Sequence, residues 1–247
     1  MSDRRQSLLR DDDAITRYRR IFDRLWHALG MQLRHPSGVI GSLTGWFMAF
    51  VNDEPNRLAV DALELQPTDR VLELGFGPGW ALRTIAARAT KGQIFGIDQS
   101  DRMLRQAANM NEVAIARGRV VLSKGPFSPL PWIDSTFQKV LLVNVAYFFD
   151  PDGREVAEVH RVLRPGGRVV VYVTSRETMI KWPFASRETH RLYESGELLD
   201  LLKGAGFRSA NIEINDVLLP FGLKGLLATA VKSPYLVRQD VAPVRCC

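Results

Sequence analysis

Cysteine is almost missing: Cys246 and Cys247 are the only two among 247 residues, and both sit at the end. That excludes a disulfide framework and a CxxC pair within the body of the chain. Long apolar runs are missing too. The greasiest stretch, Val39 to Val51, is far shorter than the ~20 residues that cross a bilayer. The opening segment MSDRRQSLLRDDD has no apolar signal core, so a cytoplasmic protein is expected. Histidine is sparse, at four residues. No His, Cys, Asp or Glu cluster has ligand spacing, and no metal is expected. Net charge is +6, from 33 Lys and Arg against 27 Asp and Glu, yet outside the N-terminal segment the cations form no stripe. No nucleic-acid partner is therefore expected. Peripheral contact with an anionic membrane is permitted, not required.

What is present is an ordinary globular composition, 46% apolar and 24% charged, long enough for one large domain with additions. Residues 1–57 read as a helical cap. Its first helix runs from Asp13 to about Leu29, with Ile15, Tyr18, Phe22, Leu25 and Leu29 at helical spacing and Arg17, Arg20 and Arg24 on another face. Residues 58–232 read as an α/β domain, and 233–247 as a flexible tail. Short Val-, Ile- and Leu-rich runs at 70–75, 93–98, 119–125, 139–145 and 168–173 are those of strands covered on both faces. Helical stretches fall between them at 80–89, 101–117 and 154–163. Five such strands with crossovers imply a doubly wound sheet. Near the end, a helix over 196–204 precedes ANIEINDVLL and GLLATAVK. Their connection is too short for a parallel crossover, so this pair is antiparallel.

The stretch VLELGFGPGW, Val71 to Trp80, places Gly75, Gly77 and Gly79 between a strand and a helix. Such glycines let a ligand touch the backbone, and the helix start favours an anionic group. The dinucleotide pattern GxGxxG fails, because its third glycine falls on Trp80. Pro78 also removes an N–H. Asp98 ends the second strand 19 residues after Gly79, where a carboxylate can accept both hydroxyl protons of a ribose. The site therefore wants a ribose and an anionic group.

With these residues in order, the chain resembles the class I S-adenosylmethionine-dependent methyltransferases, in their small-molecule branch (methyltransferase type 11-like). ELGFGPG resembles the family's first motif, GIDQSDRML its second, and RVLRPGGRVVVY the loop and strand after the fourth helix. SGELLDLLKGAGF resembles its last helix. The resemblance covers about residues 58–232. It implies a Rossmann-like, doubly wound seven-stranded sheet, mostly parallel, with one antiparallel strand near the C-terminus. It implies S-adenosylmethionine as cofactor, Gly75, Phe76, Gly77 and Gly79 along its methionine part, and Glu73 at its amino group. Asp98 would hold the ribose, with Gln99 and Met103 beside the adenine. Where the family commonly has Gly-Asp after the third strand, this chain has Gly125-Pro126-Phe127. Phe127 or Ser128 would substitute there.

Methyl transfer needs orientation and water exclusion more than acid–base groups, so the catalytic residues stay open. The candidates are Asn144 and Tyr147, whose spacing is similar to the Asn-Pro-Pro-Tyr motif without its prolines, and His190. Asn144 is also a cofactor-pocket candidate. The expected function is methylation of an O, N or C nucleophile on a small organic molecule. The alternatives are a lipid or quinone acceptor at a membrane surface, or a non-catalytic cofactor-binding protein. Oligomeric state is open.

Overall fold

The computed structural model describes residues 54–182, 190–219 and 222–234. The helix expected from Asp13 to Leu29 and the tail beyond 234 lie outside the described residues. A helix over 54–62, α1, leads into the sheet. Then follow β1 (Arg70–Leu74), α2 (Trp80–Arg88), β2 (Gln93–Asp98), α3 (Asp101–Met110), α4 (Glu112–Ala116) and β3 (Val120–Lys124). The second half holds β4 (Phe137–Val143), α5 (Arg154–Val162), β5 (Leu163–Thr174), α6 (Arg176–Met179), α7 (Ser195–Gly204), β6 (Ile212–Leu218) and β7 (Lys224–Val231).

The seven strands lie in the order β3-β2-β1-β4-β5-β7-β6. Pairs within β1 to β5 are parallel. β7 runs against both its neighbours. It is the single reversed strand, as expected. The winding changes direction between β1 and β4, which opens a crevice at the carboxyl edge of those strands.

Alternate residues of the central strands feed separate cores. Leu72, Leu74, Ile97, Val140, Leu142 and Val171 pack under α5 and α7. Val71, Ile94, Leu141, Val143, Val170 and Tyr172 pack under α1, α2 and α3. Apolar residues on both faces explain why the strands read as nearly continuous hydrophobic runs.

Two local expectations are corrected. The helix expected over 101–117 is two helices, because the chain leaves helical geometry at Asn111 (φ −112°, ψ 17°). The strand expected at 168 begins at Leu163, directly after α5. The register of β4 and β5 shifts across Arg164-Pro165-Gly166-Gly167, so these residues bulge out. Lys232 reaches back to the end of α5, where its Nζ donates to the carbonyls of His160 (2.7 Å) and Leu163 (2.8 Å). A cation there satisfies oxygens the helix leaves without partners.

Candidate functional site

β1 carries the chain out of the sheet into the glycine loop, and β2 delivers Asp98 beside it. The Gly75 N–H donates to the Ile97 carbonyl (2.8 Å). The Gly77 N–H donates to Asp98 Oδ2 (3.1 Å), and the Ser100 N–H to Asp98 Oδ1 (2.9 Å). The carboxylate thus ties the loop to the start of α3. Gly77 and Gly79 adopt φ of +52° and +90°, which L side chains rarely tolerate. A Cβ on Gly79 would fall 2.8 Å from the Ala107 Cβ. A Cβ on Gly77 would meet nothing within 4 Å. Backbone is bare at Gly77, and a ligand can lie directly on it.

Glu73 stands beside Gly96 in the register of β1 and β2. Both carboxyl groups are buried, with Glu73 3% and Asp98 8% exposed. Burial pushes Asp98 up to about 6, against the pull of the N–H groups of Ser100, Gly77 and Gln99. Glu73 is raised well above the usual carboxylate range, first by burial and then by the charge of Asp98, while the Leu82 N–H offsets part of this. Its Oε2 is buried without a hydrogen-bond partner. Two buried acids and an unsatisfied acceptor near open backbone suit hydroxyl donors and a cation.

The other expected residues distribute as follows. Phe76 turns inward at 3% exposure: a Cβ on Gly96 would lie 2.6 Å from its ring. The side chain belongs to the core, and its backbone alone faces the loop. Met103 is buried in the same core, and Gln99 is exposed at the start of the β2–α3 turn. Phe127 is buried edge-on to Phe149 (centroids 6.1 Å). Its ring comes within 3.6 Å of the Gly75 Cβ position, so the segment after β3 does reach the glycine loop.

Asn144 and Tyr147 are brought to each other. Asn144 has φ +52°, a conformation Asn tolerates better than most residues. Its Oδ1 accepts from the Tyr147 hydroxyl (2.6 Å) and the Thr174 N–H (3.1 Å). The Thr174 N–H also donates to the Tyr147 oxygen. Burial drives the Tyr147 hydroxyl far above its ordinary pKa, so it stays protonated. His190 is 4% exposed, with its ring 5.1 Å from Phe148 and 6.0 Å from Tyr147. This group lies at the ends of β4 and β5, next to the crevice.

Sequence reasoning missed Val145 and Asn111. A Cβ on Gly75 would fall 2.5 Å from the Val145 Cγ2, and the Asn111 Nδ2 donates to the Gly79 carbonyl (3.2 Å). Neither belongs to a motif; only long-range packing reveals them. Farther along the edge, a groove of about 720 Å³ is lined by Ser175, Arg176, Ile180, Asp216, Leu218 and Lys224. It lies beyond β5, away from Asp98. Among the described residues no set of three or more His, Cys, Asp or Glu is gathered to hold a metal.

A methyltransferase-domain profile matches residues 71–167, the span from β1 through the bulge of β5. YdaC of Bacillus subtilis (strain 168), described as an uncharacterized methyltransferase, is 27% identical over 175 residues, which is 71% of this chain and 91% of that protein. The ubiquinone/menaquinone biosynthesis C-methyltransferase UbiE of Geotalea daltonii is 29% identical over 128 residues. That alignment covers 51% of this chain and 54% of UbiE, so the chain spans about half the length of this relative. Among solved structures, the 1,6-didemethyltoxoflavin-N1-methyltransferase of Burkholderia thailandensis, with bound S-adenosylhomocysteine, superposes with a TM-score of 0.60 at 22% identity. It covers 75% of this chain and 81% of that one. The acid–glycine loop, Asp98 at the end of β2 and the reversed seventh strand agree with these likenesses: residues 71–167 carry a methyltransferase domain, and the sheet has the Rossmann-like fold of the S-adenosylmethionine-dependent methyltransferases.

Proposed function

We propose that this enzyme moves the methyl group of S-adenosylmethionine to a nucleophile on a small organic molecule, with the cofactor seated between the glycine loop and Asp98. The observation that carries this reading is the pair of buried carboxyls, Asp98 and Glu73, beside the open backbone of Gly77. When bound, S-adenosylmethionine supplies a methyl group already activated by a positively charged sulfur. Asp98 accepts hydrogen bonds from the ribose hydroxyls. Glu73 offers its unsatisfied Oε2 to the ammonium group. Gly75, Gly77 and Gly79 let the methionine part lie on the backbone, with Gln99, Met103 and Phe127 toward the adenine. Asp98 also supplies negative charge near a cationic ligand, which favours binding electrostatically.

Asn144, Tyr147 and Thr174 form a closed hydrogen-bonded unit that holds the ends of β4 and β5 in place on the acceptor side. With the Asn144 Oδ1 already accepting hydrogen bonds from Tyr147 and Thr174 and the Tyr147 hydroxyl held neutral, this pair serves as a wall of the pocket. His190, buried against it, is the remaining candidate for a proton acceptor when the nucleophile carries a proton.

Isothermal calorimetry with S-adenosylhomocysteine tests the cofactor reading, and absence of binding sinks it. Methyl-labelled cofactor incubated with fractionated cell extract tests the acceptor: label in the aqueous small-molecule fraction is expected. A second reading, a quinone acceptor, draws on the similarity to proteins named as ubiquinone, menaquinone and demethylmenaquinone methyltransferases. It predicts label in the lipid fraction.

A further inference from the structure

The break between α3 and α4 puts one amide side chain under the glycine loop. The Asn111 N–H still bonds the Ala107 carbonyl (3.0 Å), and its own carbonyl accepts from Ile115 (2.9 Å), so the break is a jog between two helices. The side chain is 3% exposed. Its Nδ2 donates to the Ala107 carbonyl (2.9 Å) and, across 32 residues of sequence, to the Gly79 carbonyl (3.2 Å). The Gly79 carbonyl also takes the first hydrogen bond of α2, from Arg83 (3.2 Å). One carbonyl therefore anchors the loop both to its own helix and to the neighbouring one. Contact is close: a Cβ at Gly79 would stand 2.8 Å from the Asn111 Nδ2 as well as from Ala107.

The amide is an expensive way to fill this space. Its Oδ1 is buried without a partner, a state that destabilises a fold, and a leucine of comparable size would fill the volume without that penalty. What leucine would lack is the donor to Gly79. Gly79 closes a turn through its N–H to the Phe76 carbonyl (2.9 Å), and inside that turn lies Gly77 with its bond to Asp98. Holding Gly79 therefore holds the turn that presents Gly77. We propose that Asn111 is a positioning residue for the cofactor: acting through the Gly79 carbonyl, it fixes the glycine loop against α3 and so sets cofactor affinity. This rests on the reading that Gly77 and Asp98 face the cofactor.

The test compares Asn111→Leu, Asn111→Ala and the unmodified protein by calorimetry with S-adenosylhomocysteine, with urea unfolding of each in the absence of ligand. The unmodified protein is expected to bind. Asn111→Leu is expected to bind about tenfold more weakly, the worth of one buried hydrogen bond, with an unfolding midpoint no lower than that of the parent. A purely structural role would lower the midpoint and leave the affinity of the folded protein unchanged; that result overturns the proposal. Asn111→Ala carries the same comparison if the leucine variant fails to fold, and failure of both assigns Asn111 to folding and overturns the proposal. If the unmodified protein itself does not bind, the cofactor reading falls, and this proposal falls with it.

Discussion

Replacing Asp98 with asparagine should stabilise the ligand-free protein at alkaline pH while weakening its hold on the cofactor. Burial raises the Asp98 carboxyl to about 6 from its ordinary value of 3.8. A rise of about two units corresponds to roughly 3 kcal/mol between protonation states. The folded-state pKa lies above the unfolded one. The favourable contribution is therefore complete below the unfolded value and is lost as pH rises through about 6. At pH 8 the parent thus carries a buried charge at a cost of roughly 3 kcal/mol. Asparagine removes that charge and keeps one acceptor for the N–H groups of Gly77 and Ser100. It loses the second hydrogen bond, at about 1 kcal/mol. The net expectation is a gain of roughly 2 kcal/mol at pH 8, shrinking to nothing and then reversing by pH 4. Urea unfolding without ligand reads this as a shift in midpoint at constant slope. In parallel, affinity for S-adenosylhomocysteine should fall by more than about tenfold, since a charged acceptor is lost. A variant less stable than the parent at pH 8, or a stability difference independent of pH, refutes the reasoning.

Lys232→Met should cost about 1–2 kcal/mol in urea unfolding, because three carbonyls at the end of α5 lose their cation; an unchanged midpoint would discount this cap. Gly77→Ala and Gly79→Ala should separate binding from folding. The first meets no neighbour and should lose about 1–2 kcal/mol to backbone strain yet lose most affinity for S-adenosylhomocysteine. The second also collides with Ala107 and Asn111 and should be the less stable by thermal melting. His160 is held below its usual pKa by burial and then by Lys232. The stability it contributes is present above the unfolded value of 6.5 and lost as pH falls through the folded one. His160→Gln should therefore flatten that part of the acid-unfolding profile, and a profile that stays parallel to the parent's would count against it.

The parallel strands were legible because their residues face apolar surroundings on both sides, and the reversed β7 because its link to β6 is too short to cross the sheet. The position of Asp98 beside the glycine loop was legible because the second strand of such a sheet ends next to the first. The inward turn of Phe76 was not, since Gly96, the residue that makes room for its ring, lies 20 positions away. Nor was the break at Asn111: its neighbours Met110, Glu112 and Ala114 all favour helix, and the side chain's partner at the break, the Gly79 carbonyl, lies 32 residues away. Asn144 and Tyr147 were found by spacing, but that they engage each other through Thr174 could be known only from the fold.

The contact between Gly75 and Val145 joins two functions in one wall. Gly75 belongs to the loop that would cradle the cofactor, and Val145 opens the segment that leads to Tyr147, against which His190 packs on the proposed acceptor side. With a Cβ position only 2.5 Å from the valine methyl, there is no slack between them. A close-packed contact transmits displacement rather than absorbing it. On the proposed reading, cofactor seating and the shape of the acceptor side would be mechanically linked through this contact, and the two ligands would not meet independent sites.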